Sequence, residues 1–205
     1  MFGKFNVKQL SLDIEFALGI RFLPTLRAYW GYDQSGWYVS HVKPESGFVY
    51  ETLVHAGASG FKIKLTRELA RLTGITPNAE LYEKDGTLKL KIDGEPILPL
   101  TGWAGSNLHY YYAIIPYMVA RFLDIKKGDY LYWIYNNNGW YVATETQPEC
   151  NGCFNPLCMK RRVVLMNSLR VTVPVIVARA MEMGLNSRLA WRIAGPRLVE
   201  VVNKR

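Results

Sequence analysis

The chain has few of the residues that build hydrolytic and metal-dependent active sites: three histidines and three cysteines in 205 residues. No Ser/His/Asp grouping is recognisable, and no H-E-x-x-H is present. Gly57–Gly60 and Gly102–Asn107 contain Gly and Ser, but neither is followed by the Lys-Ser or Lys-Thr that a phosphate-cradling loop needs. The carboxylates are scattered rather than paired. An enzyme is therefore not expected. Long apolar runs are also lacking: the longest, Tyr110–Ala120, is too short to span a bilayer and is interrupted by Pro116. Met1–Lys8 lacks the apolar core of a signal peptide. These absences point to a cytosolic protein with no membrane partner.

What the chain does have is an internal repeat, which decides architecture before any single residue can. IIPYMVARFLDIKKGDYLYWI, beginning at Ile114, lies without a gap on TVPVIVARAMEMGLNSRLAWR, beginning at Thr172. Pro116 falls on Pro174, Val119-Ala120-Arg121 on Val177-Ala178-Arg179, and Trp133 on Trp191. A fainter copy begins at Lys64, where Leu69-Ala70-Arg71 takes the place of the helical triplet and Leu81 that of Leu131. The faintest begins at Gln9, with Leu10, Ile14, Gly19, Ile20 and Leu26 matched to Leu65, Leu69, Gly74, Ile75 and Leu81.

Each copy reads as strand, short helix, strand, turn, strand. In the third, Leu108–Ile115 is rich in Tyr and Ile, which suits a strand. Pro116 suits the first helical turn, where a missing N–H costs nothing. Val119, Ala120 and Leu123 recur at helical spacing. Tyr130–Tyr135 and Trp140–Ala143 are strands on either side of an Asn136–Gly139 turn. The matching turns are Gln34–Gly36, Asp85-Gly86 and Gly195-Pro196. A unit of roughly 45 residues is marginal as an independent core and leaves strand edges in need of partners. The units are therefore expected to associate in pairs. The expected fold is mainly β with short helices (α+β), four such units making two barrels. The first barrel spans residues 1–93 and the second 108–205, with a Cys-containing connecting loop at 145–161. Residues 94–107, with Pro96 and Pro99, read as a linker.

The string Pro116-Tyr-Met-Val-Ala-Arg-Phe-Leu-Asp-Ile-Lys-Lys-Gly-Asp129 resembles the AbrB/SpoVT swapped-hairpin family. That family's usual pattern is a strand, Pro, a helix ending near Leu-Gly-Ile, then Lys-Pro-Gly-Asp and an apolar strand. Asn167–Pro174 resembles its turn and Arg-bearing lead-in to the Pro, and Leu18-Gly19-Ile20 and Thr73-Gly74-Ile75 its Leu-Gly-Ile element. The resemblance covers nearly the whole chain, most strongly its second half. It implies two AbrB-like pseudo-dimeric barrels fused in one chain, binding DNA in a prokaryotic cytoplasm, bacterial or archaeal, or in a host's if the gene is viral or plasmid-borne. Ser11 and Thr66 depart from the pattern where Pro is usual, as do Asn186-Ser187 and Leu23-Pro24 where Gly-Asp is usual. Such units are expected to keep the fold and lose part of the binding surface.

The formal net charge is +8. Residues 150–205 carry ten basic and two acidic groups, which is the whole excess. A local basic patch is the footprint of a phosphate-binding surface, and counterion release makes such binding salt-dependent. The candidates are Lys160, Arg161, Arg162, Arg170 and Arg179. Arg121 and Arg71 share the helix column of Arg179, and Lys62, Lys64 and Arg67 surround the same lead-in in the second unit. Arg188, Arg192, Arg197 and Lys204 read as solvated charges. The expected function is a DNA-binding transcriptional regulator with double-stranded DNA as its partner. The alternative is a protein-interaction or scaffold module, antitoxin-like or virus-associated. Its working surface would be the neutral first barrel and whichever of Tyr110, Tyr111 and Tyr112 points outward.

All three cysteines lie in Cys150-Asn-Gly-Cys153-Phe-Asn-Pro-Leu-Cys158. The C-x2-C spacing suits zinc, which wants four ligands; Cys150, Cys153 and Cys158 supply three and His109 is the candidate fourth. A disulfide stapling the loop and free thiols are the other readings, and no cofactor is required. Zinc ligation predicts metal in the purified protein and thiols protected from titration; zinc-free protein with fully titratable thiols excludes it.

Overall fold

The computed structural model describes residues 3–15, 27–56, 60–106, 110–136, 139–145 and 158–204. The chain divides into two compact units, Met1–Pro99 and Leu100–Arg205, each a closed barrel of eight strands. The first contains β1 (Gly3–Asn6), β2 (Ser11–Glu15), β3 (Arg27–Asp33), β4 (Gly36–Ser40), β5 (Tyr50–Ala56), β6 (Gly60–Lys64), α1 (Arg67–Thr73), β7 (Glu80–Lys84) and β8 (Thr87–Lys91). The second contains β9 (Thr101–Ser106), β10 (Tyr111–Ile114), α2 (Tyr117–Phe122), β11 (Tyr130–Asn136), β12 (Gly139–Ala143), β13 (Cys158–Leu165), β14 (Leu169–Val173), α3 (Val175–Ala180), β15 (Arg188–Gly195) and β16 (Leu198–Lys204). No helix among the described residues is long and apolar enough to cross a membrane.

Both barrels are built from antiparallel hairpins arranged in one way. Around the first wall the order is β1-β2-β6-β5-β3-β4-β8-β7, and around the second β10-β14-β13-β11-β12-β16-β15-β9. Hairpins β1–β2 and β3–β4 come from the first half of their barrel, β5–β6 and β7–β8 from its second half. On the wall they alternate, so every hairpin has neighbours from the other half on both sides. The second barrel repeats this with β9–β12 and β13–β16. The edges left by one half are taken up by the other, and no edge strand remains among the described residues.

Strand alternation fills the interiors. Leu12, Trp30, Val39, Ile63 and Leu88 are fully buried in the first barrel, and Ala113, Leu131, Trp133, Val142, Val171, Leu189 and Val199 in the second. Trp30 and Trp133 occupy matching places, each three residues before its hairpin turn. A buried indole N–H needs an acceptor: Trp30 Nε1 donates to Thr52 Oγ1 at 3.0 Å and Trp133 Nε1 to the Thr172 carbonyl at 3.2 Å.

The helices follow the repeat column by column. Thr66, Pro116 and Pro174 are the N-cap residues. Thr66 replaces the proline functionally, its hydroxyl accepting from the Leu69 N–H at 3.1 Å. Leu69-Ala70, Val119-Ala120 and Val177-Ala178 are buried, and Arg71, Arg121 and Arg179 are exposed in the last turn. Each helix is followed by a residue in the left-handed region: Gly74, Asp124 and Glu182, with φ of 66°, 51° and 51°. The next turn is held by side chains of different chemistry. The Lys126 N–H donates to Asp129 Oδ2 and the Gly184 N–H to Ser187 Oγ, each at 2.8 Å. Asn186-Ser187 therefore preserves the turn that Gly128-Asp129 makes.

The structure corrects the sequence reading at three places. Residues 101–106 of the expected linker are β9, hydrogen-bonded to β10 and β15. Their Gly, Ala and Ser composition suggests a loop, but small residues fit a wall position covered by rings from its neighbours. Cys158, Lys160 and Arg161 belong to strand β13, not to a connecting loop, and pair with Ile134, Tyr132 and Leu131. In the first unit the register was displaced by several residues. Ser11 and Ile14 lie in β2, opposite Lys64 and Phe61, and not at the start of a helix. With Trp30 in the place of Trp133, it is Ala28, and not Leu26, that falls in the place of Leu131. Gly19 and Ile20 lie outside the described residues.

One ion pair of the first wall has a buried member. Lys89, on β8 and 5% exposed, places Nζ 2.5 Å from Asp33 Oδ2 and 4.7 Å from the Tyr38 ring centroid. Partial burial pushes the Asp33 carboxyl up. Hydrogen bonds from the Lys89 ammonium and from Ser35 outweigh it and hold the pKa below the ordinary carboxylate value. A depressed folded pKa stabilises above the unfolded value, and the stabilisation is lost as pH falls through the folded one. Asp33 is 45% exposed, so the effect is a screened one. Asp33→Asn is expected to cost about 1–2 kcal/mol at neutral pH, read as a lower Tm, and the deficit is expected to close as pH falls below the carboxylate range.

Candidate nucleic-acid interface

Strand register carries one outward-facing row across six neighbouring strands of the second barrel. Arg188 on β15 is opposite Trp103 on β9. Gly105, two residues on from Trp103 and hence on the same face, is opposite Tyr112 on β10. Tyr112 is opposite Thr172 on β14, whose face is shared by Arg170. Arg170 is opposite Val164 on β13, and Arg162 and Lys160 on that face are opposite Tyr130 and Tyr132 on β11. The intervening residues Ala104, Ala113, Val171, Val163 and Leu131 point into the core.

Three of the belt's cations, Arg188, Arg170 and Lys160, lie on its aromatic rings. The Arg188 guanidinium is 5.1 Å from the Trp103 ring centroid and that of Arg170 4.8 Å from Tyr112. Lys160 Nζ is 4.2 Å from Tyr130 and 5.8 Å from Tyr132. Tyr112 lies flat across β9, where a Cβ on Gly105 would come within 2.6 Å of its hydroxyl. The rings hold the charges against the wall, and a cation–π contact does not itself use up a donor N–H. The buried Nε of Arg170 has no hydrogen-bond partner among the described atoms. No carboxylate occupies a position on this row. Acidic groups enter at its margin, where Asp124, Asp129 and Glu145 line a groove of about 590 Å³ with Lys160 and Tyr130. Glu145 is ion-paired with Arg197.

The same row in the first barrel has a different charge. Matching the registers puts Glu80 where Arg188 stands, Glu51 where Lys160 stands, Leu53 where Arg162 stands and Lys62 where Arg170 stands. Lys64 stands where Thr172 does, and two other cations of the row are paired: Arg27 with Glu51 at 2.6 Å and Lys62 with Asp13 at 3.8 Å. Lys62 also donates to Gln9 Oε1 at 2.5 Å.

Of the residues singled out in the sequence, Lys160, Arg162 and Arg170 are brought together on the belt. Arg161 has the opposite parity, facing the side of Leu131, and its guanidinium donates to the Lys160 carbonyl at 2.8 Å. Arg121 and Arg179 are on α2 and α3, off the strand row. Lys62 and Lys64 lie on β6, and Arg67 and Arg71 at the two ends of α1. Arg188, read as a plain solvated charge, belongs to the belt, as do Trp103 and Tyr112. Recognising β9 as a strand is the step that would have found them. The three consecutive tyrosines divide two to one: Tyr110 and Tyr112 outward, their ring centroids 6.3 Å apart, and Tyr111 facing Val173. Cys150, Cys153 and His109 lie outside the described residues, while Cys158 is half-buried at the start of β13. No cluster of metal-ligating residues occurs among the described residues.

No family model, curated protein or solved structure matches the chain. The belt must therefore be read from its own geometry. Gly105→Val is expected to displace Tyr112 and cost about 1–2 kcal/mol. Removing the ring with Tyr112→Ala should recover part of that loss, seen as a favourable coupling in a double-mutant cycle of unfolding free energies.

Proposed function

We propose that this chain is a duplex-DNA-binding protein of the AbrB-like swapped-hairpin type, a transcriptional regulator that contacts phosphates through its second barrel. The supporting observation is the belt: Lys160, Arg162, Arg170 and Arg188 on one continuous face, with no carboxylate in the row. Its counterpart in the first barrel is balanced by Asp13, Glu51 and Glu80. Two barrels with one connectivity and different surface charge fit a chain in which a single barrel meets the phosphates. The alternation of hairpins from two halves is consistent with two pseudo-dimers fused end to end, as the family resemblance implies. Cations resting on tyrosine and tryptophan rings lose little side-chain freedom on binding. The row does not specify a base sequence.

The first barrel favours a second role, as a surface for protein. Its row is ion-paired, and Leu53, 57% exposed, stands in it between Arg27 and His55. A partner protein on that barrel is compatible with DNA on the other.

Mobility shifts on random-sequence duplex at several salt concentrations test the main proposal. Log affinity should fall linearly with log salt, by about 0.9 per phosphate contacted. Arg162→Ala with Arg170→Ala should reduce that slope by about 2, whereas Lys62→Ala in the first barrel should leave it unchanged. Absence of duplex binding at low salt would refute the reading.

A further inference from the structure

The turn joining β13 to β14 carries an unusual surface for a hairpin tip. Val164, Leu165 and Met166 are consecutive and are 44%, 52% and 64% exposed. Runs of exposed apolar residues are rare without a function. In the corresponding hairpin of the first barrel, β5–β6, the sequence between the strands is Gly57-Ala58-Ser59, without the large apolar side chains of this tip.

The apolar tip grows directly out of the basic belt. Val164 is a member of the row, opposite Arg170. Arg170 reaches along the hairpin to Met166, with Nη1 3.7 Å from Sδ. Arg162 is two residues from Val164 on the same face. Charge-complementary anchors for phosphate thus flank the exposed Leu165 and Met166. A two-stranded ribbon is narrow enough to enter a groove of duplex DNA. Apolar side chains placed between base steps, with cations on the adjoining phosphates, are how groove-entering proteins unstack and kink a duplex.

We infer that Leu165 and Met166 form a wedge that inserts at a flexible base step and bends the DNA held by the belt. This rests on the DNA-binding reading above and adds a deformation to it. Leu and Met have no groups that discriminate bases by hydrogen bonding, so the selectivity they supply is for easily unstacked pyrimidine–purine steps. Arg162 and Arg170 set the strength and salt dependence of binding, while the tip sets the shape of the bound duplex.

The experiment uses the full chain and a random-sequence duplex of about 30 base pairs, a small fraction of the ~150-base-pair persistence length, labelled at both ends for energy transfer. Binding of the wild type should shorten the end-to-end distance. Leu165→Ser with Met166→Ser replaces exposed side chains, so the barrel is retained. This variant should bind about tenfold more weakly, with an unchanged salt slope and no shortening of the duplex. A wild type that binds without bending the duplex, or a tip variant that bends it equally, overturns the wedge while leaving the DNA-binding reading standing. Loss of self-association in the tip variant with unaltered DNA geometry would assign the tip to a second copy of the chain and also overturn it. No duplex binding by the wild type removes both readings.

Discussion

The constraint on which everything else rests is the pairing of strand edges between the two halves of each barrel. A hairpin satisfies its own inner ladder and leaves two outer edges open. In both barrels those edges are covered by hairpins from the other half, so β2 meets β6, β10 meets β14, and the wall closes. Neither half can bury its apolar face alone: Leu12 needs Ile63, and Ala113 needs Val171. The small helices, the caps and the left-handed turns are fitted to this closure, linking the first hairpin of a half to its second across the partner's strands.

Closure leaves the outer face unconstrained, and there the two barrels differ. Inward positions are conservative in character: Leu81 and Leu189, or Trp30 and Trp133, occupy corresponding core places. Outward positions change sign, from Glu80 to Arg188 and from Glu51 to Lys160. A core residue answers to many neighbours at once, whereas a surface residue answers to one or two. The same wall can therefore display a self-neutralised surface in one barrel and an unneutralised basic one in the other.

How much of this was legible in the sequence follows from the same distinction. The columns Val119-Ala120-Arg121 and Val177-Ala178-Arg179 could be read directly, because a short buried helix tolerates few alternatives and both copies retain it. The mainly β character and the hairpin turns were equally plain. The first unit was misplaced because its match relied on scattered leucines and isoleucines, which occur in strands and helices alike; Ile14 belongs to β2. β9 was hidden because Thr101–Ser106 has two glycines and a serine, and only the ring of Tyr112 lying over Gly105 explains why a strand is built from them. Without β9 the belt could not be assembled: Arg188 and Trp103 meet only through that strand. Three of the four belt cations, Lys160, Arg162 and Arg170, were visible from charge alone; the strand parity, which turns Arg161 away, required the register.

Interleaving two halves on a single polypeptide also changes the kinetics of assembly. Strand β1 closes the first wall against β7, so the last seam joins residues near opposite ends of that unit. Contacts of such long range close slowly, because chain entropy is lost before the ladder forms. The tether compensates in another way: the two halves are always at high effective concentration for each other. A barrel made from separate halves would come apart on dilution. This one assembles by a first-order process, and its integrity is the same however few copies are present.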